Sequence, residues 1–242
     1  MDGSQILPGA LLLLGISSAF FVSASAGLGG SLILVPVLIL ALGSKEGISL
    51  AALLLAGNNL VKLWAYRRVL PVRAAALVTL CTFVGALLGA RVLVAAPVPL
   101  VDAAVVISFA VALMAERREA RAWRLSLVPT LSVAAGATSG FSGTSGPLKG
   151  VAVRSLGLDR MHTIGAAAIV SAVADLTKTA VYADAGLLNG FHLRLALMAI
   201  PLMIASTFAG RYFTGLIGES GYARLFWLVI GGYTMRLAFQ FV

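Results

Sequence analysis

The chain has 242 residues, of which 60% are hydrophobic and only 11% are charged. A soluble domain carries about 25% charged residues, so this composition excludes an ordinary soluble protein and indicates a polytopic α-helical membrane protein. The formal net charge of +9 comes from basic residues near the ends of apolar segments, without interleaved aromatic residues. It therefore indicates membrane topology and not nucleic-acid binding. The single cysteine, Cys81, excludes an internal disulfide and a cysteine metal cluster.

Apolar segments recur along the chain at close to the roughly 20 residues that an α-helix needs to cross a bilayer. In chain order they cover residues 5–24, 31–43, 47–66, 72–95, 98–115, 125–140, 147–157, 162–183, 191–216 and 221–241. We interpret the first as a membrane segment and not as a cleaved signal peptide, because no basic residue precedes it. The segments 31–43 and 147–157 are too short to cross alone, and each follows a break rich in glycine and serine.

The two breaks indicate a duplication. The stretch "SAGLGGSLILVPVLILALG" aligns with "SGFSGTSGPLKGVAVRSLG", and after a shift of two residues "NNLVKLWAY" aligns with "ADLTKTAVY". This alignment matches Asn59 with Asp175, Lys62 with Lys178, and Tyr66 with Tyr182; further on, Arg91 matches Arg211. The sequence therefore predicts a first transmembrane repeat at 1–115, a charged link at 116–124 and a second repeat at 125–242.

The arginines set the expected orientation. Those of the link lie on the same side as the arginines of the loop at 67–73, and we assign that side to the cytoplasm. If each short segment forms a re-entrant hairpin with the helix before it, the halves have opposite orientations and both termini lie outside. We predict an all-α integral protein of the cell (inner) membrane. It is an inverted repeat in which each half has a broken hairpin and three transmembrane helices, a pattern typical of transporters.

The breaks also predict a binding site. Non-helical backbone within a membrane is tolerated only inside protein or beside a water-filled cavity, and a helix that starts there presents free N–H groups to anions. Lys149 adds a positive charge where an isolated one is costly. The predicted anion site consists of Gly29, Gly30, Ser31, Gly143, Thr144, Ser145, Gly146 and Lys149. The alternatives are close helix packing by small residues and a lysine that reaches out to the surface.

A second polar group lies on the two matched helices. It consists of Asn58, Asn59, Lys62, Asp175 and Lys178. The i, i+3 spacing of Asp175 and Lys178 puts them on one helix face, where they can neutralise each other. We interpret the group as a gate or as a site that couples transport to protons or another ion. The alternatives are a structural ion pair and, for Lys62, a side chain that extends to the surface. No metal site is expected.

The motif "GTSG" raises the alternative of an intramembrane serine protease with Ser145 as nucleophile. A four-residue motif is common by chance in a chain rich in glycine and serine, and the two histidines, His162 and His192, are expected at the membrane edges. We therefore expect no enzymatic activity. Tyr66 and Tyr182 are expected in the aromatic belt at the membrane interface.

The break at Gly27–Ser31, followed by Pro36, resembles the first glycine motif of the TauE/SafE family of sulfite and organosulfonate exporters, with serine in its last position. The later "GALLGARVL" and "SGFSGTSGPLKG" resemble further parts of that family. The resemblance implies a small permease without a cofactor that moves sulfite, sulfonates or thiosulfate through the bilayer. Thiosulfate-handling members are associated with several cysteines, whereas this chain has only Cys81. A different small anion, such as a carboxylate, stays as an alternative.

Overall fold

The computed structural model of the chain describes residues 3–26, 29–116, 127–144 and 146–216. Within these ranges the chain is helical and has no strand. The helices are α1 (Gly3–Ala26), α2 (Gly30–Leu42), α3 (Ser44–Ala65), α4 (Val72–Ala95), α5 (Val98–Glu116), α6 (Val128–Ser142), α7 (Gly146–Arg154), α8 (Arg160–Asp184), α9 (Gly190–Met198) and α10 (Ile200–Leu216). The predicted last segment, Ser145 and all of the predicted link except Glu116 lie outside the described residues.

The described helices confirm an all-α membrane protein. Three of them, α3, α4 and α8, are each long and apolar enough to cross a bilayer, and α9 with α10 would make a fourth crossing if they count as one bent span. Large apolar side chains also point outward, among them Leu77, Leu80 and Leu88 of α4, each more than half exposed. Such a surface suits lipid and would be unfavourable in water.

One predicted helix is divided in the structure. The segment predicted as continuous over 191–216 consists of α9 and α10, which meet at Ala199 with a bend of 44°. Pro201 lies in the first turn of α10. Its ring has no N–H to donate to the carbonyl of Leu197 and would clash with that carbonyl in a straight helix.

The two short segments form hairpins with the helices before them, as predicted. Helix α2 has 13 residues and α7 has 9, so they extend over only about 20 Å and 14 Å, less than the roughly 30 Å of bilayer hydrocarbon. Gly29, before α2, and Gly143, after α6, have φ angles of 95° and 79°. This left-handed conformation is open to glycine at little cost and lets the chain reverse within a few residues.

Close backbone contacts join α4 to α6 and α10 to α1. Gly85 and Gly89 of α4 lie against the backbone of α6 at Val133 and Ala137, so that a side chain at either glycine would clash with it. Gly210 of α10 lies in the same way against the backbone of α1. Small residues allow such backbone approach in membranes. Helix α4 therefore packs closely on α6, and α10 on α1.

The main apolar core lies between α1, α2 and α3. Phe20, Leu34 and Leu54, one from each helix, are fully buried there. Helix α8 packs across α3 and α4. This arrangement brings α3 and α8 side by side, which positions the polar residues of both helices.

Candidate functional site

The two glycine-rich breaks meet in the fold. The hydroxyl of Ser31, in the first turn of α2, lies 3.3 Å from the hydroxyl of Thr144, just before α7. A small cavity adjoins this contact, and six of the predicted site residues line it: Gly29, Gly30, Ser31, Asn59, Lys149 and Asp175. Both groups of residues singled out in the sequence thus contribute to one cavity.

The cavity is nearly closed in this conformation. The centre of a water molecule has about 10 Å³ in which to move, which is room for about one water molecule. An oxyanion with three or four oxygens needs more space. The cavity in the described conformation is therefore too small for such a solute, and binding of one would require the residues around it to move apart.

Lys149 reaches from α7 to α8. Its Nζ atom donates to the hydroxyl oxygen of Ser171 at 3.0 Å, and the side chain is half-buried and faces the cavity. The lysine in the first turn of α7 thus points inward rather than to the lipid surface. Gly143 has a different place: it lies against the side chains of Val35 and Ile48, outside the cavity lining, and turns the chain there. Gly146 begins α7.

Asp175 is the acidic side chain of the cavity lining. Its Oδ1 atom lies 2.5 Å from Nζ of Lys178, and its Oδ2 atom accepts a hydrogen bond from Nδ2 of Asn59 at 2.7 Å. All three side chains are buried. A buried ion pair is tolerated when its remaining lone pairs have donors, and the Asn59 amide supplies one. The contact also joins α3 of the first half to α8 of the second.

Lys62 is fully buried and does not extend to the surface. Its Nζ atom donates to Ser23 of α1 at 3.1 Å. Lys178 makes the corresponding bond to Ser139 of α6 at 3.0 Å. Asn58 has a separate role, because its Oδ1 atom accepts a hydrogen bond at 3.0 Å from Thr207 of α10 and the residue is not part of the cavity lining. The structure therefore brings Asn59 to the cavity and leaves Asn58 between α3 and α10.

The prediction of an interfacial position for the two matched tyrosines is wrong. Tyr66 and Tyr182 are both fully buried. The hydroxyl of Tyr66 donates to the backbone oxygen of Ala24 at 2.9 Å, and that of Tyr182 donates to the backbone oxygen of Gly140 at 2.5 Å. Each tyrosine ties the long helix of its half to the end of the helix that precedes the break. The polar tip of a buried tyrosine needs such a partner.

A wider groove lies away from this site. It has a volume of about 910 Å³ and runs between α1, α9 and α10, where its lining is apolar except for Arg194. Its size exceeds that of the small cavity, but an apolar lining offers an anion few hydrogen bonds. The hydrogen-bond donors lie at the breaks, so we place the candidate site there.

The sequence matches a family model described as sulfite exporter TauE/SafE over residues 11–237. The chain belongs to the TauE/SafE family. Neither the curated proteins nor the solved structures contain a significant match. The match covers most of the chain, and with the apolar helices it makes this TauE/SafE chain a multi-pass membrane protein of a transporter family.

The histidines of the TauE/SafE chain lie at helix starts and not at the cavity. His162 contacts Asp159, the residue that caps α8, and the hydrogen bonds from His162 hold the pKa of Asp159 below its usual range. His192 is buried, with its Nε2 atom 3.0 Å from Glu46 and its ring in a capping box with Asn189. Neither ring is part of the cavity lining.

Three serines at the cavity of this TauE/SafE chain were missed by sequence reasoning: Ser23, Ser139 and Ser171. A signal for two of them was present. Ser23 and Ser139 are 116 residues apart, as are their lysine partners Lys62 and Lys178. The sequence alignment matched the breaks with a separation of 114 residues and so placed Ser25 opposite Ser139. Extending the later separation upstream of the break would have matched the correct serine.

Proposed function

We propose that this TauE/SafE protein transports a small sulfur oxyanion, sulfite or a sulfonate, by alternating access around the cavity between the two breaks. The observation that carries the proposal is the set of side chains at the cavity. Three lysines, Lys62, Lys149 and Lys178, reach it directly or through a serine, and one carboxylate, Asp175, accompanies them. Buried charges of this kind mark substrate and ion pathways in membrane proteins.

The charge balance supports an anion as the solute. Three ammonium groups and one carboxylate carry a formal charge of +2 when all are ionised, and Asp175 is already paired with Lys178. Lys149, which faces the cavity, has the neutral hydroxyl of Ser171 as its partner. A buried positive charge without an anion is costly, so an oxyanion between the breaks would compensate the net positive charge of the site.

Recurring contacts support the inverted repeat. The Lys62–Ser23 bond corresponds to the Lys178–Ser139 bond, and the Tyr66–Ala24 bond corresponds to the Tyr182–Gly140 bond, with 116 residues between partners throughout. The packing of α4 on α6 also corresponds to the packing of α10 on α1, because each contact joins a late helix of one proposed half to the first helix of the other. In our proposal the halves are inverted copies, and a rocking movement between them would open the cavity to either side in turn.

The Asn59–Asp175 hydrogen bond is the proposed gate contact. It joins α3 to α8 beside the cavity, so any separation of the two halves there must break or lengthen it. In our proposal the Asp175–Lys178 pair beside this contact is the place at which transport couples to protons or another ion. With an inside-negative potential, export of an anion gains about 2.3 kcal/mol per charge per 100 mV. Export thus needs no coupling ion, whereas uptake needs one.

The proposed orientation places the arginine-rich link at 116–124 in the cytoplasm and both termini outside. Reporter fusions at the link and at each terminus test it. Activity of a cytoplasmic reporter at the link, with periplasmic reporters active at the termini, is the expected result. The opposite pattern would overturn the orientation without affecting the binding site.

A flux screen in reconstituted vesicles tests the transport function. The solutes are sulfite, sulfate, thiosulfate, a taurine-like sulfonate, acetate and a neutral sugar, each at the same gradient. Flux of sulfite or sulfonate should exceed that of acetate and sugar, and it should be lost in the Lys149→Ala variant. The matched control is Lys45→Ala, because Lys45 bonds the backbone oxygen of Val94, outside the cavity lining. Preferred flux of acetate or of the neutral sugar would contradict the proposal.

A further inference from the structure

Three lysine–serine pairs surround the cavity. Lys62 donates to Ser23 at 3.1 Å, Lys178 to Ser139 at 3.0 Å and Lys149 to Ser171 at 3.0 Å. The serines lie on three different helices, α1, α6 and α8, and all three line the cavity. Each is at least nine-tenths buried. The same pairing therefore occurs three times around one small space.

The chemistry of the pair leaves a proton on each serine for another acceptor. A lysine ammonium group only donates, so the serine oxygen must be the acceptor, and the hydroxyl proton remains to be donated elsewhere. Several serines and threonines of the described helices donate that proton to the carbonyl four residues earlier, as Ser17, Ser132 and Thr177 do. In the described part of the chain, Ser23, Ser139 and Ser171 have no such acceptor.

The neighbouring carboxylate does not take these protons. Both oxygens of Asp175 have donors, Lys178 and Asn59, and among the described residues no hydrogen bond joins Asp175 to any of the three serines. Gly30 also preserves the space at the first pair, because a side chain there would meet the Cβ atom of Ser23 at 2.7 Å. The three buried hydroxyls thus line the cavity, and none of them donates a hydrogen bond to another described residue.

We infer that Ser23, Ser139 and Ser171 are direct ligands of the transported anion and that they select an XO₃ group, such as sulfite or the head of a sulfonate. This inference rests on the proposed function. Three hydroxyl donors match the three oxygens of an XO₃ group, whereas a carboxylate has two. A hydroxyl that accepts from an ammonium group is polarised and becomes a stronger donor. Lys62 and Lys178 are then positioning residues that act on the anion through their serines.

Binding measurements on the purified full chain test the ligand assignment. Calorimetric titration with sulfite is carried out on the wild type and on Ser139→Ala, Ser139→Thr and Ser132→Ala. Ser132 is the matched control, since it is buried on the same helix and donates to its own backbone. Loss of a hydrogen bond to a charged group should weaken sulfite binding about tenfold or more in Ser139→Ala. The Thr variant keeps the hydroxyl, and it should bind within about threefold of the wild type, as should Ser132→Ala.

A competition series tests the selection of an XO₃ group. Methanesulfonate and acetate compete with sulfite in the wild type and in Ser139→Ala. The preference for methanesulfonate over acetate should fall about tenfold in the variant, because only the XO₃ group uses the third donor. An unchanged preference would overturn the selection by serines.

A double-mutant cycle tests whether Lys62 acts through Ser23. The Lys62→Met and Ser23→Ala variants should each weaken sulfite binding, and the double variant should lose little more than Ser23→Ala alone. Additive losses would overturn the positioning role. Equal binding of sulfite by the wild type and all serine variants would overturn the ligand assignment and leave transport intact. A wild type that neither binds nor moves any XO₃ anion would overturn the proposed function and this inference together.

Discussion

The two halves of the molecule share their scaffold contacts but differ in the charges that they bring to the cavity. Helix α2 has 13 residues and no charged side chain, whereas α7 has 9 residues and carries Lys149. In the same way, α3 offers the neutral Asn59 where α8 has Asp175. The hydrogen bonds that fix helix positions thus recur 116 residues apart, whereas Lys149, Asp175 and Lys178 all lie on α7 and α8.

The shared contacts explain how such a difference is possible. The hydroxyls of Tyr66 and Tyr182 donate to the backbone oxygens of two matched residues, Ala24 and Gly140. Lys62 and Lys178 likewise donate to two matched serines, Ser23 and Ser139. The tyrosine bonds lie away from the cavity lining, and the two lysines reach the cavity only through their serines. Other residues that face the cavity, such as Asn59 and Asp175, can therefore differ without changing the helix positions. The predictions below test this division between common scaffold and unequal charge.

The largest expected effect follows from removal of the charge that only the second hairpin carries. Lys149→Ala should weaken sulfite binding about a hundredfold, near the upper end for a bond to a charged group, and Lys149→Arg should weaken it less. Calorimetric titration measures both, with Lys45→Ala as the control. If Lys149→Ala bound sulfite like the wild type, the charge of α7 would have no part in the site.

The next effect concerns the exchange of Asn59 and Asp175 between the halves. Asp175→Asn leaves Lys178 buried without its carboxylate and should lower the free energy of unfolding by about 3–5 kcal/mol. The double variant Asn59→Asp with Asp175→Asn should recover most of this loss, because a carboxylate at 59 is three residues from Lys62 on the same helix face.

Titration with SDS measures the free energy of unfolding of both variants. The single variant Asn59→Asp is the control for the exchange, since it places two carboxylates side by side and should itself destabilise the protein. If the double variant lost as much free energy of unfolding as the two single variants together, the two halves would not be equivalent scaffolds.

The smallest expected effect belongs to the paired tyrosines. Tyr66→Phe and Tyr182→Phe each remove one buried hydrogen bond and should each cost about 1 kcal/mol of unfolding free energy. The exposed Tyr212 provides the control variant Tyr212→Phe, which should leave stability unchanged. If one of the two variants lost several times more unfolding free energy than the other, the two halves would not be equivalent scaffolds.

The elements that sequence reasoning predicted are those with a local cause. Glycine at Gly29 and Gly143 permits the chain reversals, and length alone shows that α2 and α7 cannot cross a bilayer. The bend at Ala199 was missed although Pro201 is a local signal, because the flanking residues are uniformly apolar. The hairpins and helix limits thus follow from the chain itself.

The depth of polar side chains could not be predicted in the same way. In a membrane helix both the buried and the lipid-facing surfaces are apolar, so periodicity does not show which way Tyr66, Tyr182 or Lys62 points. Ser23 and Ser171 were missed because isolated serines are common in such helices and only the fold brings them to lysines. The matched positions of Lys62 and Lys178 in the sequence alignment were the exception, since they singled out both residues.

Crystals soaked with selenite test most directly whether the cavity between the breaks is the anion site. Selenite has the pyramidal XO₃ shape of sulfite, and selenium gives an anomalous signal that locates it without reference to the protein atoms. The account predicts an anomalous peak within hydrogen-bond distance of the hydroxyls of Ser23, Ser139 and Ser171, and its loss in Lys149→Ala crystals. A selenite peak elsewhere in the protein, or an empty cavity when selenite inhibits sulfite flux in vesicles, would contradict it.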